Sequence, residues 1–398
     1  MDIHDFKTRL ERTEKRIQCA AFSEKNKKII SDYKRQLFIK ELSIARIDKH
    51  LSVLKKTMER LNKDFDCLDK EDIYCFLEWV QRRDIEDWTK YTYKQIFKMF
   101  LKHMGKNDLA NLIIIKNVKN KIPDIFTREE VLKMIDSATH PMDRALIAAL
   151  YETGCRIGEL ASLQNKDIHF DNYGAIFIVN GKTGMRRVRV IFSSPYLSAW
   201  FDVHPKKLDP NAPFWIRMGG NGRTNGLEGT NCRQLMYPAL TMRIKRIAKR
   251  AGIKKRVYNH LFRHTSATEK SGILTDSMMD EYFGWIQGSR MTRIYVHRSG
   301  KNLDDALLKA HGLVKDNTPQ DKELAPIKCP RCGTINGATG KFCFKCSAAL
   351  DLVTAVNVDK ERASLTMELM DLIRQEPALL ELLKGHMEPR NENEKIKK

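Results

Sequence analysis

The N-terminal third of the chain repeats its apolar residues at helical spacing. Ile29, Ile30, Tyr33, Leu37 and Phe38 recur within a stretch that begins near Asn26, and Ser43 opens a second with Ile44, Ile47, Leu51, Leu54 and Met58. Asp69 opens a third (Ile73, Phe76, Leu77, Val80), and Trp88-Thr89 precede a fourth (Tyr93, Ile96, Phe97, Phe100, Leu101). Steps of three and four put each set on one stripe and leave the basic residues for the outer face. The pattern predicts a compact all-α domain of four or five short helices over residues 1–115.

Residues 116–126 lose the period, are basic and contain a proline, and so read as a linker. Helix resumes behind a capping box, Thr127 with Glu130, ahead of Val131, Met134 and Ile135. A further helix through Leu146, Ile147 and Leu150 is expected to stop at Gly154. The pattern then predicts two short strands, Ala175–Val179 and Arg187–Phe192, with Asn180-Gly181 as the turn signal. Residues 217–229 are a glycine-rich loop, and helix returns from Met236 to about Gly312. An amphipathic stretch from Val358 to Leu383, interrupted by Pro377, predicts tail helices over 355–386 that pack on their own domain or on a partner.

Composition adds a partner class. Of 398 residues, 71 are Lys or Arg and 50 are Asp or Glu, a net charge of +21. The surplus is +6 over residues 1–115, +13 over 116–260 and +2 over 261–398. A basic excess concentrated in the middle third suits a polyanion, nucleic acid first. No apolar run approaches the roughly 18 residues of a membrane helix, and Met1–Arg16 has no apolar centre of the secretory kind. The expectation is a cytoplasmic protein with no membrane partner.

Four of the nine cysteines form two C-x-x-C pairs, Cys329/Cys332 and Cys343/Cys346, ten residues apart. In a reducing compartment that spacing reads as four thiolates around one tetrahedral zinc, with iron or a redox dithiol as alternatives. Gly333, Gly337 and Gly340 are expected to allow the tight turns of the knuckles. Residues 326–350 are too few to fold on an apolar core alone, so a metal is expected to hold them.

Four further segments carry candidate chemistry. Arg156 lies between a helix stop at Gly154 and a helix start at Ile157, where its guanidinium and the free backbone amides could share an anion. Lys182 sits in Asn180-Gly-Lys-Thr-Gly184; a P-loop is excluded because position 176 is isoleucine inside a strand. His260 and Arg263, at i and i+3 in HLFRHTSA, share a helix face and could address one phosphate. Tyr282, Trp285 and Tyr295 follow in YFGWIQGSRMTRIYVH.

The order of these segments resembles the tyrosine recombinase family of phage integrase and Xer type. Thr153–Leu163 is similar to its first arginine box, His260–Ala267 to its His-x-x-Arg-His-Thr box, and Phe283–His297 to its last box. The resemblance spans about residues 20–313, and its phrasing is most like archaeal members with a C-terminal zinc ribbon. Two features depart from the common pattern: tryptophan stands at 285 where most members have histidine, and Tyr295 lies one position farther on. The resemblance implies a mainly α fold. A helical SAM-like core-binding domain (1–115) would precede an α+β catalytic domain (127–315), followed by the zinc ribbon and tail helices.

It further implies a site-specific recombinase that cleaves and rejoins double-stranded DNA through a 3′-phosphotyrosine. Tyr295 would be the nucleophile, His260 the acid/base, Arg156 and Arg263 the clamp on the phosphate oxygens, and Lys182 the donor to the leaving 5′ oxygen. Trp285 would support the phosphate or pack Tyr295, and Glu159 would order the site. The family further implies a clamp around duplex DNA, a short helix over Asp304–His311 that docks on a neighbouring protomer, and dimers that pair into tetramers. No nucleotide cofactor is needed, and zinc would be structural. A type IB topoisomerase and a non-cleaving DNA-binding regulator are the alternatives.

Overall fold

The computed structural model describes residues 3–118, 124–181, 183–217, 233–288, 290–296, 308, 311 and 325–375. The chain divides into two units, residues 1–124 with 234–240, and residues 125–233 with 241–398.

The described residues of the first unit form α1 (Phe6–Gln18), α2 (Glu24–Ile39), α3 (Ile44–Leu61), α4 (Lys70–Arg82), α5 (Asp87–His103) and α6 (Asn107–Leu112). α3 is its spine, with Ile47, Leu51, Val53, Leu54 and Met58 all buried against neighbouring helices. The four predicted stretches became α2 to α5. The patterning missed α1, whose apolar stripe is only Leu10 and Ile17 among charges. Tertiary contacts hold it: Asp48 on α3 accepts from Thr13 Oγ1 at 2.6 Å and from Arg9 Nη2 at 3.2 Å.

In the second unit, α7 (Arg128–Ser137) starts on the predicted capping box, since the Thr127 hydroxyl accepts from the Glu130 amide and Glu130 from the Thr127 amide. α8 (Pro141–Thr153) is the central helix, buried on nearly every side by α7, α10 (Ser194–Asp202) and α12 (Asn259–Lys270). It ends at Gly154 in the left-handed region, φ 54°. The short α9 (Ile157–Ala161) follows, then a three-stranded antiparallel sheet in the order β1 (Ile168–Asp171), β2 (Gly174–Gly181), β3 (Gly184–Val190).

Two strand expectations need correction. Asn180 and Gly181 are the end of β2, not the turn: Asn180 pairs with Met185 and Gly181 with Gly184. β1 went unpredicted because its alternation is weak, with His169, Phe170 and Asp171 all exposed. The Glu152 carboxylate ties the sheet to α8 by accepting from the amides of Ile191, Phe192 and Ser193 at 2.6–3.0 Å.

α11 (Tyr237–Arg250), α12, α13 (Asp276–Phe283) and α14 (Arg290–Val296) follow. The ribbon contains β4 (Ile327–Lys328) paired with β5 (Ile335–Asn336), and α15 (Leu352–Gln375) extends with none of its residues buried. The predicted loop over 218–229, the helix at Asp304–His311 apart from two residues, and the tail beyond 375 lie outside the described residues. Among the described residues, no helix is long and apolar enough to cross a membrane.

Candidate active site

Gly154 opens the site. Its positive φ ends α8, and a methyl there would come within 2.8 Å of Ser266 Cβ on α12 and 2.7 Å of the Phe283 ring on α13. This close approach lets the Gly154 carbonyl accept from Arg263 Nη1 at 2.9 Å. Arg263 Nη2 donates to the Phe283 carbonyl at 2.6 Å, and its guanidinium lies over the Phe283 and Trp285 rings at 5.2 and 5.3 Å. The side chain is almost wholly covered. Burial first, then the charge of Arg156, lowers its pKa to about 10, so it remains a cation at neutral pH.

Arg156 caps the N-terminus of α9, as expected, but the anion there is internal. The Glu159 carboxylate accepts from the Arg156 amide at 3.0 Å and from Arg156 Nη1 at 2.7 Å. Glu159 thus takes the Arg156 amide that was expected to be open to an anion, while the guanidinium, paired to Glu159 through Nη1, stays partly exposed. Glu159 is itself buried, yet two arginines hold its carboxyl below the usual range against the opposing effect of desolvation. The second is Arg186 of β3, whose Nη2 donates to Glu159 Oε2 at 2.7 Å.

His260 and His264 project from successive turns of α12, their rings edge to face at 4.8 Å. Packing around His260, then the charges of His264, Arg263 and Arg156, holds its pKa down to about 4. The ring keeps an exposed edge, which weakens the desolvation, but the three neighbours act in the same direction. His260 is neutral at pH 7.

α13 and α14 deliver the aromatic half. Gly284 ends α13 in the left-handed region, φ 60°, and turns the chain into Trp285. Asp280 locks α14 to α13, accepting from Thr292 Oγ1 at 2.6 Å and from the Gly288 amide at 3.0 Å. Tyr295 is thereby stacked on Trp285, ring centroids 5.6 Å apart and planes within 5°. Trp285 packs Tyr295, one of the two roles expected for it. The Tyr295 hydroxyl is 2.7 Å from His264 Nδ1, not His260, and the residue is only 1% exposed. Tyr282, the other tyrosine of this segment, is tied to the Glu152 carbonyl at 3.3 Å, and burial drives its pKa well up.

Arg156, His260, Arg263, Trp285 and Tyr295 thus come together from three segments. Lys182 lies outside the described residues. Sequence reasoning gave no role to His264, although it was within a quoted box, and it missed Arg186. An arginine on the strand face shared with the buried Val188 and Val190 was the available signal for the latter.

A second cluster lies in the ribbon. The Sγ atoms of Cys329, Cys332, Cys343 and Cys346 are all within 4.8 Å of one another, with Cys329–Cys346 and Cys332–Cys343 both at 3.6 Å. A tetrahedron with Zn–S of about 2.3 Å needs sulfurs about 3.8 Å apart, so the four fit a metal of that size. Only Gly333 of the three knuckle glycines has a positive φ, 71°. Gly337 serves contact instead: a methyl there would lie 2.4 Å from the Tyr196 ring of α10, whose hydroxyl is 3.1 Å from Thr339 Oγ1.

Comparison with known proteins places this arrangement. The phage integrase family model matches residues 125–301. Tyrosine recombinase XerA of Pyrococcus furiosus is 28% identical over 221 residues, 54% of this chain and 72% of that protein. Tyrosine recombinase XerC of Xanthomonas campestris pv. campestris is 28% identical over 204 residues, 49% of this chain and 58% of that one. Among solved structures, the XerH recombinase bound to a palindromic difH substrate superposes with a TM-score of 0.52 at 19% identity, covering 78% of this chain and 97% of that one. The Tn1549 transposon integrase superposes with a TM-score of 0.52 at 15% identity, covering 72% and 99%. At these identities the superpositions speak for the fold alone. The family match, the recombinase relatives and the mainly helical fold agree: residues 125–301 match the phage integrase family model, and the chain is similar to tyrosine recombinases of the Xer type.

Proposed function

We propose that the chain is a site-specific DNA recombinase that cleaves and rejoins strands through a 3′-phosphotyrosine at Tyr295. The observation that carries this reading is the gathering of two arginines and two histidines beside one buried tyrosine. Those are the charges and proton acceptors a phosphodiester transfer requires.

In the reaction, the Tyr295 oxygen attacks phosphorus as the bond to the 5′ oxygen breaks. A phenol of pKa about 10 needs a base, and His264 Nδ1, already in hydrogen-bond contact, takes the proton. Lys182 supplies a proton to the 5′ oxygen, which leaves as a hydroxyl. Arg156 and Arg263 hold the non-bridging oxygens as negative charge grows, and neutral His260 faces the phosphate from the same side. Reversal by another 5′-hydroxyl rejoins the strand, since the phosphotyrosine keeps the phosphodiester energy and no nucleotide is spent. Because Tyr295 is covered, α14 must shift before a phosphate reaches it.

Residues 1–115 are proposed as the core-binding domain, with both units gripping duplex DNA through basic surface, so affinity should fall steeply with salt. Exchange of two strands between two duplexes needs four tyrosines, hence a dimer on each site and a tetramer in synapsis. The compartment proposed is the cytoplasm, where DNA and reduced thiols coexist.

The test is a nicked suicide DNA drawn from a library of candidate sites. A covalent band on denaturing gels is expected with wild type. Intact DNA binding with no band on any DNA would leave a DNA-binding protein and overturn the enzyme reading.

Zinc is proposed for the four cysteines, and its removal makes a separate prediction. The purified chain should carry one zinc, and Cys343→Ser should lose it, because four thiolates bind cooperatively and the ribbon has little core of its own. With the ribbon detached, Tyr196 becomes exposed and the second unit should lose about 1–3 kcal/mol in urea unfolding. Zinc far below one per chain, or stability unchanged in the variant, would contradict this.

A further inference from the structure

Strand β3 carries a buried cation that the mechanism above does not use. Arg186 shares its strand face with Val188 and Val190, and its side chain is only 7% exposed. Nη2 donates to Glu159 Oε2 at 2.7 Å, and Nε donates to the Tyr282 carbonyl at 3.0 Å. Cys155 Sγ lies 3.7 Å from Nη2, and burial pushes that thiol's pKa up, so it stays uncharged. Nη1 has no hydrogen-bond acceptor among the described residues. It lies against Gly181 and Gly284, where a methyl would approach it to 3.0 and 2.7 Å. Gly181 also abuts Glu159, with a methyl there falling 2.5 Å from Oε1. Glycine at 181 thus lets the end of β2 come up against a carboxylate that holds Arg186 on one oxygen and Arg156 Nη1, at 2.7 Å, on the other.

Stability does not account for this arrangement. A buried ion pair does no better than an apolar pair of similar size, and a buried donor without an acceptor is a further cost. The balance of charge does account for it. Two cations meet one anion, so the cluster keeps one net positive charge. Its outward member is Arg156, whose side chain is 36% exposed against 7% for Arg186 and 4% for Glu159. Paired with Glu159 alone, Arg156 would present a phosphate with a nearly neutral pair, because charges in contact cancel at a distance. We propose that Arg186 is a positioning residue that neutralises Glu159, so that Glu159 orients Arg156 while the positive charge of Arg156 stays available to the scissile phosphate. This rests on the recombinase reading above.

The test compares single-turnover cleavage of ordinary DNA with DNA whose scissile phosphate carries a methyl group in place of one non-bridging oxygen. That phosphate is uncharged, so it gains far less from a facing cation. Arg186→Met should slow cleavage of ordinary DNA about 10²-fold and of the methyl DNA less than about threefold, each against wild type. Removing both charges restores the balance: Glu159→Gln combined with Arg186→Met should cleave ordinary DNA within about 10-fold of wild type. Equal loss on both DNAs in Arg186→Met, or no loss on ordinary DNA, overturns the positioning role. The double variant leaves neither buried charge unpaired and decides alone if the single one does not fold. Cleavage of ordinary DNA by the double variant as slow as by Arg156→Ala overturns the role. Wild type that binds ordinary DNA yet forms no covalent complex on it overturns the recombinase reading, and this role with it.

Discussion

Tyr295→Phe is expected to abolish the covalent protein–DNA complex while leaving DNA affinity within about twofold. Loss of a nucleophile that acts as part of a unit costs on the order of 10⁶ in rate, far beyond the range of a gel assay. The structure predicts little collateral damage. The phenylalanine ring keeps its stack on Trp285, and loss of the hydrogen bond to His264 costs about 1 kcal/mol. Melting temperature and salt-dependent DNA binding should therefore remain near wild type. A covalent band that persists in Tyr295→Phe would move the nucleophile elsewhere; Tyr282, locked on the Glu152 carbonyl, would be the next residue to replace.

Arg263→Ala is expected to fail twice. Without the guanidinium, the carbonyls of Gly154 and Phe283 lose their donors in a buried setting, at about 1–3 kcal/mol each. The rings of Phe283 and Trp285 lose the cation they pack against as well. Urea unfolding should show a loss of several kcal/mol, and cleavage should fall by at least about 10²–10³ from the missing charge on the phosphate. Arg263→Lys separates the two effects. It keeps the charge but cannot span both carbonyls, so it should regain part of the activity and little of the stability. An Arg263→Ala protein as stable as wild type, or cleaving within about fivefold of it, would contradict the assignment.

These expectations show where sequence reasoning reached and where it stopped. Helices α2 to α5, the capping box of α7 and the stop at Gly154 were legible because each is set by neighbours within a few residues. The first helix was not, since its docking depends on Asp48, thirty-five residues beyond Thr13. Asn180-Gly181 is strand and not turn because an Asn-Gly pair marks a turn only where cross-strand pairing leaves it unpaired, and here Gly181 pairs with Gly184.

The sequence by itself determined which residues could do chemistry. Ordered boxes of arginine, histidine and tyrosine, and the spacing of four cysteines, are local patterns that survive without a fold. Only the tertiary structure decided which group meets which. Tyr295 pairs with His264 and not His260 because the two histidines differ by one turn of α12, and the side facing α14 is set by packing. Arg156 meets Glu159, and Arg186 joins the same carboxylate from a strand 27 residues farther along the chain. Such partners lie far apart in the chain, and their pairing is fixed by the burial of α8 between its neighbours, a property of the whole core.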